Sequence, residues 1–288
     1  MKRFLVLVFI IFTVLPCAGY DLMSSSVRIE SGGRKIKTRV LQPKDTPGLV
    51  PGILWIHGGG YMTGGAYMVE VSNGKMLAER FGAVVVCPDY RLAWESPYPA
   101  ALEDCYAALE WMYDHADSLG IDKSRIVVGG ESAGGGLTAA LCIYARDKGR
   151  IPISLQLPLY PMLDSEDTPS SADNHGLVWD TRRNHWGWRH YLGEDYGTDN
   201  VSKYASPARE TDYSGLPACY TFVTDGEPFY QETMDYVQNL KDAGVEACVD
   251  VYSGNAHAFD LLTPWRKQSK LARERLCEVF SAWLSAVR

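Results

Sequence analysis

The sequence predicts an α/β domain with a mostly parallel central sheet and helices on both faces. Three observations carry that expectation. Short apolar runs at 53–56, 83–87, 126–128, 153–159 and 218–224 alternate with helical stretches for nearly the whole chain, the order expected when crossovers join parallel strands. These runs are predominantly apolar, as buried strands are. The residues able to carry chemistry follow directly on such runs, where open parallel sheets place their ligands.

Composition agrees with one large domain. The chain has 288 residues, 46% hydrophobic and 22% charged, which is ordinary globular usage with ample material for a core. No linker, internal repeat or low-complexity tract interrupts it. A net charge of -7 and a pI near 5.4 argue against nucleic acid, which needs a basic face, and leave a small neutral ligand as the better partner. The 7 cysteines are scattered without a disulfide framework or metal-ligand spacing. Cys87, Cys142, Cys219 and Cys248 fall in strands or a helix, where a thiol packs as a small hydrophobe.

Taken in order, Lys2 and Arg3 precede an apolar stretch from Phe4 to Leu15 and then Pro16-Cys17-Ala18-Gly19, the layout of an export signal over residues 1–19. The apolar run is short of the roughly 20 residues of a membrane span, yet an uncleaved anchor, with membrane association through this segment, is the second reading. A buried N-terminal helix in a cytoplasmic protein is the third. From residue 20 a single domain is expected. Ser26–Glu30 and Lys35–Leu41 alternate in polarity around Ser31-Gly32-Gly33 and predict an opening hairpin.

The strand ending at Ile56 runs into His57-Gly58-Gly59-Gly60. A phosphate loop would want a helix start and a lysine, whereas Tyr61-Met62-Thr63 follows; backbone held close to substrate fits better. An amphipathic helix is expected over 71–80. The next strand ends at Pro88-Asp89-Tyr90-Arg91, where Asp89 and Arg91 read as a structural pair fixing the loop. A long helix is expected from Tyr98-Pro99 through Leu119, with Trp111 in the core.

The strand at 126–128 delivers Gly130-Glu131-Ser132-Ala133-Gly134, followed by a small-residue helix. Strand, sharp turn and helix around Gly-x-Ser-x-Gly hold a serine hydroxyl exposed at the top of a sheet, with glycines where side chains would clash. A glycine-rich loop with an incidental serine is the alternative for the pentapeptide alone. Residues 181–192 carry Trp186, Trp188, His185, His190 and Tyr191 and read either as an ordinary amphipathic helix or as a lid. His175, His185 and His190 show no convincing metal spacing.

The last strands end at Asp225-Gly226-Glu227-Pro228 and at Gly254-Asn255-Ala256-His257-Ala258-Phe259, and a final helix runs from Pro264. Acyl transfer needs a nucleophile, a base, an acid that orients the base, and oxyanion donors. Ser132, a carboxylate after the strand at 218–224, and His257 occur in the chain order nucleophile, acid, histidine, with Gly59, Gly60 and Ala133 able to offer N–H groups.

Together, His57-Gly58-Gly59-Gly60, Asp89-Tyr90-Arg91-Leu92-Ala93, Tyr98 to Asp104, Gly129 to Gly135 and His257-Ala258-Phe259 resemble the hormone-sensitive-lipase family of α/β-hydrolase carboxylesterases from about Gly52 onward. The resemblance implies an α/β-hydrolase fold and hydrolysis of short- to medium-chain carboxylic esters without cofactor or metal. It carries Ser132 and His257 into catalytic roles, Gly59, Gly60 and Ala133 into the oxyanion hole, and His57, Gly58, Gly130 and Gly134 into the supporting motifs. The family's acid usually stands before a proline, which selects Glu227 over Asp225 here. Two further departures are Trp94, where proline is frequent, and the lack of N-terminal cap helices. A small cap from about 164 to 204 is therefore expected. Other acyl bonds, such as acetylated carbohydrates, amides or thioesters, suit the same groups, and a non-catalytic receptor on the same fold is the rival class. A terminal sheet edge leaves room for a homodimer as well as a monomer.

Overall fold

The computed structural model describes residues 19–46, 48–254 and 256–287. The expected leader thus lies outside the described residues, apart from Gly19. The sheet has eight strands in the order β1-β2-β4-β3-β5-β6-β7-β8. Strands β1 (Leu22–Ser31) and β2 (Arg34–Pro43) form the opening hairpin. Gly32 and Gly33 both have positive φ (54° and 75°), as a two-residue turn matched to strand twist requires. β2 pairs antiparallel with β4 (Val84–Pro88), and every remaining pairing, among β3 (Val50–Ile56), β4, β5 (Ile121–Glu131), β6 (Leu155–Leu159), β7 (Ala218–Thr224) and β8 (Ala247–Tyr252), is parallel.

The period-2 alternation of a strand divides the apolar runs between two cores. Leu54, Ile56, Val84, Val86 and Val128 face one side, with α2 (Ala100–Asp114) and α4 (Ala133–Lys148). Ile53, Trp55, Val85, Cys87 and Val127 face the other, with α1 (Asn73–Phe81) and α8 (Lys267–Ala286). Each large apolar side chain so buried contributes roughly 1.5–3 kcal/mol. Both faces being covered explains why these strands read as largely apolar runs.

Four local expectations are corrected. Asp89 and Arg91 do not pair with each other: Arg91 forks onto buried Asp104 (2.8 and 2.9 Å), while Asp89 accepts from the Ala66 N–H (2.9 Å). The long helix is interrupted at His115, whose ring stacks on Trp111 and whose Nδ1–H donates to the Trp111 carbonyl; α3 (Ala116–Leu119) continues beyond it. Cys248 is exposed, because β8 is the edge strand. The first helical turn after the triple glycine is a 3-10 segment (Ala66–Val71), with α1 beginning only after Ser72, whose hydroxyl caps it by accepting from Lys75 N–H.

Between β6 and β7 the chain leaves the sheet, forms α5 (Thr181–Leu192) and returns. Trp188 and Tyr191 of α5 are buried and pack with Tyr61, so the helix belongs to the core, while the loop before it covers the strand ends. Helices α6 (Tyr230–Asp242) and α7 (Phe259–Leu262) follow β7 and β8. Among the described residues no helix is long and apolar enough to cross a membrane, and none of their His, Cys, Asp and Glu side chains cluster as a metal site.

Candidate active site

Four strand ends converge. β5 delivers Ser132 at φ 59° and ψ -121°, a left-handed conformation that costs a non-glycine residue energy. The turn is held by Ser132 N–H donating to Leu159 O (3.0 Å) and by Ser132 O accepting from Gly136 and Met162 N–H (3.0 and 3.1 Å). It lies so close to β3 that a Cβ on Gly130 or Gly134 would fall 2.5 or 2.1 Å from the Ile56 carbonyl. The two glycines of the pentapeptide are thus required by a backbone approach.

β8 delivers His257, which is 4% exposed, and β7 delivers Glu227, which is fully buried. Nε2 of His257 lies 2.8 Å from Ser132 Oγ, and Nδ1 makes a short hydrogen bond to Glu227 Oε2. A carboxylate can only accept, so Nδ1 carries the proton and Nε2 is left to accept from the serine hydroxyl. The second oxygen of Glu227 accepts from Thr224 N–H and Oγ1 (2.9 and 3.2 Å), fixing the carboxylate. Tyr160 and Phe229 stand edge-on to the imidazole at 5.1 and 5.0 Å. Asp225 points elsewhere: it accepts from Gly254 N–H (2.8 Å) and Ser253 Oγ (3.3 Å), closing the loop that precedes the histidine.

β3 delivers the triple glycine. Gly59 and Gly60 have φ of 123° and 60°, and a Cβ on Gly59 would sit 2.1 Å from the Thr63 carbonyl. Among the described residues the amides of Gly59, Gly60 and Ala133, the last at the first position of α4, donate to no protein acceptor. N–H groups left free beside a hydroxyl are what a developing oxyanion needs. Gly58 has no room for a side chain either, since a Cβ would lie 2.9 Å from Glu131 O. His57 is buried and, among the described residues, makes no hydrogen bond to Ser132. Its Nδ1–H donates to Gly58 O (2.8 Å), its ring stacks on Tyr90 at 4.1 Å, and burial lowers its pKa to about 4.

The cavity over Ser132 is about 380 Å³ and is walled by Met68, Val69, Val178, Trp179, Leu261 and Leu262. A larger open depression of about 810 Å³ beside α5 contains none of Ser132, His257 or Glu227 and is lined mainly by charged and polar side chains. His185 pairs there with Asp167 (2.8 Å) and His175 with Asp173 (3.1 Å), both in exposed positions, so neither histidine joins the serine. Sequence reasoning passed over Trp179, Tyr160, Glu131 and Asp260. Only Glu131 carried a signal, as the acidic residue inside the pentapeptide.

A protein family described by the α/β-hydrolase fold matches residues 53–261. Esterase LipI of Mycobacterium tuberculosis is 35% identical over 231 residues, 78% of this chain and 71% of the relative. Carboxylesterase NlhH of the same organism is 34% identical over 216 residues, 73% and 66% of the two chains. Among solved structures, a bacterial heroin esterase superposes with a TM-score of 0.82 at 35% identity, covering 96% of this chain and 87% of its own.

Proposed function

The chain belongs to the α/β-hydrolase fold family, in its hormone-sensitive-lipase-like branch, and from that premise we propose how its residues divide the work of cleaving a carboxylic ester. That it is a carboxylic ester hydrolase follows from its esterase relatives. The proposal concerns the site. Neutral His257 takes the Ser132 proton as Oγ attacks the ester carbonyl, and Glu227 holds the imidazole in the tautomer that can accept it. The amides of Gly59, Gly60 and Ala133 receive the negative charge of the tetrahedral intermediate. His257 then protonates the departing alcohol, and a water activated by the same imidazole releases the acyl group from Ser132.

One observation carries this reading: His257 bridges Ser132 Oγ and Glu227 with one ring nitrogen to each. The apolar cavity walls favour an uncharged short- to medium-chain acyl group over an acetylated sugar, whose hydroxyls would want polar partners. The test is hydrolysis of p-nitrophenyl acetate and butyrate together with labelling by a fluorophosphonate. Wild type is expected to turn over both esters and to be labelled at Ser132, whereas Ser132→Ala does neither. Wild-type rates in Ser132→Ala would overturn the assignment.

A further inference from the structure

Behind the serine lies a second group of polar side chains that the mechanism above does not use. Glu131 immediately precedes Ser132, and Asp260 is the third residue after His257. Both are buried, and Asn73, the first residue of α1, joins them. Its backbone N–H donates to Glu131 Oε1 (3.1 Å) and its side-chain Nδ2 donates to Asp260 Oδ2 (2.7 Å). The other Glu131 oxygen accepts from Trp55 Nε1 (2.7 Å). The remaining Asp260 oxygen and the Tyr160 hydroxyl are both buried with no hydrogen-bond partner among the described residues, and Tyr160 is the ring edge-on to His257. The turn that presents the nucleophile and the loop that presents the base are thus tied through one asparagine.

Two buried carboxylates facing one amide cannot both ionise without heavy cost. Hydrogen bonds from Asn73 and Trp55 and the charge of Arg273 offset only part of it, and both carboxyls stay raised. Glu131 is bonded by Trp55 of β3 and Asn73 of α1, and its charge acts on Cys87 of β4 and on Tyr160. Asp260 is bonded by Asn73, its charge acts on Tyr160 and on Tyr252 of β8, and the Arg273 guanidinium of α8, whose Nε donates to Met76 Sδ, favours its ionised form. We propose that Glu131 and Asp260 are positioning residues that keep Ser132 and His257 in register because one asparagine, Asn73, donates to both of them. The inference rests on the assignment of Ser132 and His257 as nucleophile and base. Burial, reinforced by Asp260, pushes Glu131 up to about 8, and Asp260 is raised as well, so the pair retains a proton at neutral pH. When alkali removes that proton, two anions repel across Asn73. The repulsion moves α7 with His257 away from the serine turn.

The experiment measures kcat and KM for p-nitrophenyl butyrate from neutral pH to about pH 9.5 in wild type, Asp260→Asn and Asp260→Ala, with fluorophosphonate labelling of Ser132 at neutral pH. Wild-type kcat is expected to fall about fivefold or more on the alkaline side, with KM within about twofold. Asp260→Asn keeps the hydrogen bond to Asn73 without the charge. It should retain neutral-pH kcat within about threefold and lose the alkaline fall. Asp260→Ala should lose about tenfold in kcat at neutral pH with little change in KM. Should Asp260→Ala fail to fold, Asn73→Ala, which keeps the backbone bond to Glu131, must show the same loss. A wild-type profile flat to the alkaline end, an alkaline fall that survives in Asp260→Asn, or full kcat in the variant that removes the tie would each overturn the proposal. Labelling separates the two readings, because an unlabelled wild type means that Ser132 is not the nucleophile.

Discussion

The indole of Trp179 packs against Gly60 so closely that a Cβ on the glycine would lie 2.1 Å from the ring carbon Cη2. A residue of the loop before α5 therefore forms one wall of the space in which the amide of Gly60 is free. Two outcomes follow from the contact. Gly60→Ala must displace either the ring or the amide, and φ of 60° adds strain, so kcat should fall by about 10²-fold, the usual cost of one oxyanion donor. Trp179→Ala removes the wall and leaves the amide, so kcat/KM should shift toward longer acyl chains. A series of p-nitrophenyl esters from acetate to decanoate checks both; an unchanged chain-length profile in Trp179→Ala would remove the ring from the substrate's path.

The neighbouring carboxylates Asp225 and Glu227 are assigned opposite consequences by their partners. Glu227 orients the imidazole, so Glu227→Gln should lower kcat by about 10³-fold or more, with KM little altered. Asp225 braces the loop after β8 from an exposed position, so Asp225→Asn should stay within a few-fold of wild type. Steady-state kinetics on p-nitrophenyl butyrate compares them directly. Collapse of Asp225→Asn alone would transfer the acid's role.

The contrast between these two acids shows what was legible in the sequence. Position along a strand and order along the chain were readable, which is why β7 and α5 have the limits their apolar runs and flanking residues suggest, and why Ser132, Glu227 and His257 meet. Contacts between residues far apart in sequence were not. Arg91 finds Asp104 rather than Asp89 because α2 brings a buried carboxylate to it, and nothing local distinguishes the two acids. Trp179 and Asp260 join the site only because a loop folds back over β3 and α7 docks on α1. Cys248 looked like a core thiol, since a strand's place in the sheet order is not written in its own residues.

His57 should govern stability on the acid side. It is buried with its Nδ1–H donated to Gly58 O and its Nε2 unpartnered, so the fold accommodates the neutral ring and burial lowers its pKa from 6.5 to about 4. A depressed histidine leaves stability undiminished above its unfolded value and drains it as pH falls from about 6.5 toward 4, because the unfolded chain binds the proton first. Urea denaturation at several pH values in that window should show the free energy of unfolding declining with acid, and His57→Gln should remove about one proton from that dependence. An unchanged slope in the variant would mean that another group controls the decline.

Ser132 itself should be a source of instability. Its φ of 59° and ψ of -121° suit glycine, and a serine held there costs roughly 1–3 kcal/mol. Ser132→Gly releases that strain while giving back about 0.5–1 kcal/mol through the freer unfolded chain, for a net gain on the order of 1 kcal/mol. For a domain of this size the melting temperature should rise by roughly 2–4 °C while esterase activity is abolished. Ser132→Ala keeps a Cβ, and with it the strain, so it should be equally inactive without that stabilisation. Calorimetry of the three proteins at one pH decides the matter: if the glycine variant melts no higher than the alanine variant, the turn stores no strain at Ser132, and the conformation is set by the hydrogen bonds of Leu159 and Met162 at no cost to the fold.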